Sequence, residues 1–156
     1  MHNNAASQVE VRVLTQYEPE IAAGLGRLML DLSDSVSGDP VAAERLRAII
    51  DSPDHDQLVA ELDGRIVGAA ALSHIRGTLG DKAYLEDFVT SNEARGKGVG
   101  HLLWVAMENW CTHRGITVMD FTSSYARKEA HKFYKSHGAT ICNETAPFRV
   151  TFTKDK

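Results

Sequence analysis

A chain of 156 residues with 43% hydrophobic and 24% charged residues, 12 Gly and only 4 Pro has ordinary globular proportions, enough for about one domain. Seventeen Lys and Arg against 21 Asp and Glu leave a net charge of −4 with no block of five like charges. That argues against a broad surface for nucleic acid or anionic membrane, so any anion site has to be local.

Residues 1–8 read as a flexible N-terminal tail, and Val9 to Val13 then alternates apolar and polar residues as a half-buried strand does. A single domain is expected over 9–156. Ile21, Leu25, Leu28, Met29 and Leu32 recur at three and four residues, predicting a helix over about 18–31 with Pro19 in its first turn. The turn-rich run Ser33 to Pro40 leads to a short helix near 41–50, ended by Asp51-Ser-Pro53. Gln57 to Leu62 and Arg65 to Ser73 are β-like runs joined by Asp63-Gly64, a two-residue hairpin signal. Lys82 to Thr90 is a further strand, followed by a glycine-rich turn and a helix to about Arg114. A strand over 116–122, a helix over 127–136 and two β-like runs near 139–142 and 147–153 complete the order. Such an order predicts an α/β (α+β) chain with a central mixed sheet and helices on its faces. The longest apolar run, Ile66 to Leu72, is far below the roughly 18 residues of a membrane span, and Met1 to Ser7 carries no signal-peptide core. A soluble cytoplasmic protein without a membrane partner is therefore expected. Cys111 and Cys142 make no disulfide framework, and none of the seven His pairs at ligand spacing, so no metal is expected.

Arg95-Gly-Lys-Gly-Val-Gly100 joins a predicted strand to a predicted helix, where backbone N–H groups, the positive helix end and two cations converge as a pyrophosphate requires. A P-loop would need Gly at 91 and Ser or Thr at 98, which are Ser91 and Gly98. A dinucleotide fingerprint would need Gly at 101 or 103, which are His101 and Leu103.

The spacing Arg95, Gly98, Gly100 instead resembles the acyl-CoA pyrophosphate loop of the GNAT superfamily of N-acetyltransferases. Leu85-Glu-Asp-Phe-Val-Thr90 is similar to that superfamily's preceding strand, and Ala130-His-Lys-Phe-Tyr-Lys-Ser-His-Gly-Ala139 to its second signature. Within it, Tyr84 to Phe88 with Phe133-Tyr-Lys135 looks most like the diamine and polyamine N-acetyltransferases. The resemblance implies a GNAT fold with a mostly antiparallel sheet of about six to seven strands. It also implies acetyl-CoA as co-substrate, a small amine acceptor and a possible homodimer.

Acetyl transfer to an amine needs a group that removes the proton of an ammonium with pKa near ~10 and a donor for the departing thiolate. Glu86 is the expected base, acting through water and sharing a strand face with Phe88 and Thr90, while Asp87 points the other way and is structural. The resemblance implies Tyr134 as the acid, its position matching the superfamily's tyrosine, and Phe133 is expected to be a core residue. The resemblance implies that the backbone of Phe88, Val89 and Thr90 meets pantetheine and that Arg95, Gly96, Lys97, Gly98, Val99, Gly100 and His101 surround the pyrophosphate. Arg127 stands where many members have Asn, and either reaches a phosphate or caps its helix. Asp31, Asp34 and Asp39 either face a cationic acceptor or are merely solvated. An acyl-CoA-binding sensor without turnover and a protein N-acetyltransferase are the alternative readings.

Overall fold

The computed structural model describes residues 7–154, so most of the expected tail, residues 1–6, lies outside it. The chain divides into two compact units at Thr122 and Ser123.

The first unit holds a sheet in the order β1 (Glu10–Val13), β2 (His55–Leu62), β3 (Arg65–Gly77), β4 (Gly80–Thr90) and β5 (Met119–Asp120). The first four strands pair antiparallel and β5 joins β4 in parallel, giving a mixed, mostly antiparallel sheet. Three helices accompany it: α1 (Pro19–Met29), α2 (Ala43–Ile50) and α3 (Val99–His113). The hairpin between β2 and β3 turns on Asp63 and Gly64, whose φ angles of 50° and 75° suit the right-handed twist of the flanking strands.

The two faces of the sheet have separate cores. Leu14, Ile21, Ala22, Leu25, Leu28 and Leu46 pack on Val59, Ala69 and Val89, so this face belongs to α1 and α2. On the other face Gly68 lies against α3: a Cβ there would stand 2.7 Å from Val99 and 2.8 Å from Leu103. Two glycines inside α1 cost helix propensity, about 1 kcal/mol each relative to Ala, but allow close approach. A Cβ on Gly26 would lie 2.0 Å from the carbonyl oxygen of Asp39, a backbone atom that cannot rotate away. Gly26→Ala is expected to cost about 1–3 kcal/mol, read as a Tm lower by several degrees in thermal unfolding.

The second unit contains α4 (Lys128–Ser136). Two expectations are corrected here. The strand predicted over 116–122 shrinks to Met119–Asp120. The reason is that α3 ends in a Schellman-type turn: Gly115 takes φ 68°, and the Ile116 N–H donates to the Cys111 carbonyl at 2.9 Å. The runs near 139–142 and 147–153 form no strand, so the described sheet has five strands rather than six to seven. Phe148, Val150 and Phe152 alternate as a strand would, yet stand 95%, 71% and 82% exposed. Alternation makes a strand only where a neighbouring edge supplies hydrogen bonds and a face buries the apolar side.

Candidate active site

The strand that carries the expected base is bulged. Ala71 pairs with Glu86 and Ala69 with Val89, so three steps along β4 match two along β3. The extra residue is accommodated at Asp87, whose φ is 51°, a conformation that Asp tolerates better than most side chains. Side chains change face at that point. Glu86 therefore shares the α1 and α2 face with Ala71, Ala69 and Val89, not with Phe88 and Thr90 as strict alternation predicts. Phe88 goes to the α3 face, where its ring meets Trp104 edge-on at 6.4 Å between centroids. Glu86 and Asp87 are both exposed. Among the described residues, neither carboxylate has an ion-pair or side-chain hydrogen-bond partner. β5 pairs with β4 at Ala83 and Tyr84, and among the described residues that side of β4 has no partner strand over 85–90, where Phe88, Val89 and Thr90 lie.

The glycine turn follows at once. Ser91 anchors it: its N–H donates to the Val67 carbonyl at 2.8 Å, and its Oγ accepts from the Glu93 N–H at 3.2 Å, capping a short 3-10 turn over Asn92–Ala94. Gly96 and Gly98 have φ of 76° and 74°, and Gly98 is the N-cap of α3 with no side-chain cap. The Leu102 N–H is bonded to the Gly98 carbonyl at 3.0 Å, whereas the first-turn N–H groups of Val99, Gly100 and His101 precede the helical ladder. Buried Val99 and Leu103 fix the helix, while Arg95, Lys97 and His101 stand exposed around its start. Residues 95–101 thus form one contiguous electropositive turn able to receive an anion. Open space surrounds the Cβ positions of Gly96 and Gly98, so backbone angle rather than room requires glycine. Gly98→Ala is expected to cost about 1–2 kcal/mol of left-handed strain. Thermal unfolding should show the corresponding loss of stability as a Tm lower by several degrees.

In the second unit Tyr134 is 8% exposed. Its ring lies 6.4 Å from that of His131 and 6.0 Å, edge-on, from Phe133. The Ser123 hydroxyl bonds the phenol and also meets His131 Nε2 at 3.2 Å. Burial pushes the Tyr134 phenol above its ordinary value, an effect partly offset by the positive charge of Arg127 and by the Ser123 hydrogen bond. The phenol is therefore protonated at neutral pH. Arg127 is the N-cap residue of α4 but supplies no side-chain cap, so the capping alternative is not what its side chain does. Phe133, expected in the core, is only half-buried and stacks at 4.1 Å on the His137 ring. Ser123 and His131 were missed from sequence; His131 lies three residues before Tyr134, on the same helix face, which is the signal that could have found it.

Asp31 is not simply a solvated acid: both its carboxylate oxygens accept hydrogen bonds from Asn92. A shallow cavity of about 560 Å³ lies against α2, lined by Ala42, Glu44, Arg45, Ile49 and His55, none of them an expected site residue. The chemistry of the bulge and the turn is a better guide than this cavity, whose lining brings together no acid–base pair with an anion-binding turn. Among the described residues no group of three or more His, Cys, Asp or Glu is placed to hold a metal ion, and no helix is long and apolar enough to cross a membrane.

Residues 27–139, which span the bulged strand, the glycine turn and the tyrosine helix, match the Acetyltransferase (GNAT) family. The chain belongs to the GNAT acetyltransferase family. Over 64 residues it is 31% identical to an uncharacterized N-acetyltransferase, YhdJ, of Bacillus subtilis (strain 168), a match covering 41% of this chain and 45% of that relative's length. Among solved structures, an aminoglycoside acetyltransferase from an uncultured soil metagenomic sample, in complex with sisomicin, superposes with a TM-score of 0.81 at 18% identity, over 93% of this chain and 97% of that one. A putative acetyltransferase from Agrobacterium tumefaciens str. C58 gives 0.74 at 21% identity, over 92% and 99%. These likenesses show the α+β GNAT fold.

Proposed function

We propose that the chain transfers the acetyl group of acetyl-CoA to a primary amine of a small polycationic molecule, by direct attack in a ternary complex. Residues 9–156 act as one acetyltransferase domain, working in the cytoplasm as a homodimer. The observation that carries this reading is the continuity of bulged β4 with the turn over 95–101. An uncommitted carboxylate, Glu86, is followed within twelve residues by a left-handed glycine pair at a helix N-terminus.

In the proposed reaction Glu86, through water, takes a proton from the substrate ammonium, and the free amine attacks the thioester carbonyl. The oxyanion is stabilised by a backbone N–H at the bulged end of β4. Collapse breaks the carbon–sulfur bond, the thiolate of CoA takes the phenol proton of Tyr134, the second proton of the attacking nitrogen leaves through water and restores the phenol, and the proton held at Glu86 passes to solvent. The backbone of Phe88, Val89 and Thr90 receives the pantetheine arm, and Arg95 to His101 the pyrophosphate, with Arg127 facing a phosphate of the cofactor. Transfer through cysteine is not favoured. Burial raises the Cys111 thiol above its ordinary value, which disfavours the thiolate that such a step needs.

The polycationic acceptor, polyamine-like in the sense of carrying several ammonium groups, is supported by the paired exposed carboxylates Glu86 and Asp87 and by the net charge of −4. Aminoglycosides and polyamines share that chemistry. A thiol-release screen at saturating acetyl-CoA over polyamines, aminoglycosides, amino acids and simple monoamines tests it. Polycations should give the highest kcat/KM; a preference for neutral or anionic amines would overturn the acceptor assignment. Tight acetyl-CoA binding without thiol release for any amine would instead mark a sensor module.

A further inference from the structure

The cation of the glycine turn is tied to the end of α1 by a chain of hydrogen bonds between residues 61 positions apart in sequence. Asp31 follows the last turn of α1, where its own N–H donates to the Leu28 carbonyl at 3.0 Å. Its Oδ2 accepts from the Asn92 backbone N–H and its Oδ1 from the Asn92 side-chain Nδ2, each at 3.3 Å. The Asn92 Oδ1 then accepts from Arg95 Nη2 at 3.0 Å. Asn92 is itself flanked by fixed points: Ser91 is bonded to β3, and Glu93 pairs with Arg65 at 2.7 Å.

The order of these groups matters. A carboxylate bonded directly to Arg95 would neutralise the charge that an anion needs. Here the carboxylate polarises a neutral amide, and the amide holds one arm of the guanidinium while its other donors stay available. An exposed arginine otherwise loses rotamer freedom when it is fixed on a ligand, so holding it beforehand lowers the cost of binding.

We propose that Asp31 and Asn92 are positioning residues that hold Arg95 in the orientation from which it takes the pyrophosphate of coenzyme A. The inference rests on the reading of the turn as a coenzyme A site.

The test is calorimetric titration of the full chain with coenzyme A in a double-mutant cycle. Asp31→Ala and Asn92→Ala should each raise Kd about fivefold, and Asp31→Asn, which keeps one acceptor for the Asn92 amide, should raise it less. In an Arg95→Ala background the Asp31 substitution should change Kd by less than about twofold, because the group it acts through is gone. An equal effect in both backgrounds, or no effect of Asp31→Ala on a chain that binds coenzyme A, would overturn the positioning role. A wild-type chain that fails to bind coenzyme A would overturn the reading of the turn, and the inference with it. Unfolding temperatures of all variants separate lost fold from lost affinity.

Discussion

Tyr134→Phe should lower kcat by about 10²- to 10³-fold while leaving the affinity for acetyl-CoA within a few-fold of wild type. The substitution removes one oxygen and keeps the ring, so the edge-on packing with Phe133 and the neighbouring His131 survives. What is lost is the proton for the departing thiolate. A carbon–sulfur bond can still break without it, because a thiolate with pKa near ~8.5 is a tolerable leaving group, and this caps the expected loss. The direction of the phenol's shift gives a second test. Burial favours the neutral form, so raising the pH removes the donor only above the ordinary phenol value of about 10. The alkaline limb of kcat should therefore lie at or above that value. A limb near pH 8 would have to come from another group and would count against Tyr134 as the acid, as would an unchanged kcat in Tyr134→Phe.

Glu86→Gln should lower kcat/KM for the amine by about 10²-fold at pH 7, with the deficit shrinking as pH rises toward the amine's own pKa near ~10. The sign follows from the proton that must leave. Far below the amine pKa nearly every acceptor is an ammonium and depends on the base; near it, a substantial share arrives already neutral. The variant's pH profile should thus be steeper than that of wild type over the same range. A ratio of wild-type to variant rates that stays constant with pH would mean that Glu86 only attracts the cation and does not remove its proton. The exposed position of Glu86 favours a route through water, since solvent reaches the carboxylate directly.

Local signals were legible in the sequence wherever one or two residues decide the backbone. Asp63-Gly64 marks its hairpin because both residues take positive φ. The run Arg95 to Gly100 marks its turn because Gly96 and Gly98 need left-handed angles just before α3. The bulge in β4 was not legible. Leu85 to Thr90 looks like an ordinary strand, and the left-handed angle at Asp87 becomes necessary only against the register imposed by β3. For that reason the identity of Glu86 as an exposed strand carboxylate could be anticipated while its face could not. The C-terminal runs failed in the opposite sense: Phe148, Val150 and Phe152 carry the right period, but period alone supplies no pairing edge. The environment of Tyr134 was half legible. Its helix has the expected span, but Ser123 comes from the preceding loop, and nothing in a linear reading connects that hydroxyl to the phenol. Likewise the bonds from Asp31 to Asn92 join distant segments, and sequence alone suggested only a solvated or substrate-facing acid.

Transfer of acetyl from acetyl-CoA to an amine yields two products in equal number, and counting both in one reaction tests it. Purified chain, acetyl-CoA and the best polycationic amine of the screen are incubated together; free CoA thiol is measured by colorimetry and the N-acetylated amine by mass spectrometry. Equal amounts of the two products are expected at every time point, with intact protein carrying no acetyl adduct when the amine is left out. Thiol release without acetylated amine, or tight acetyl-CoA binding with neither product, would contradict it.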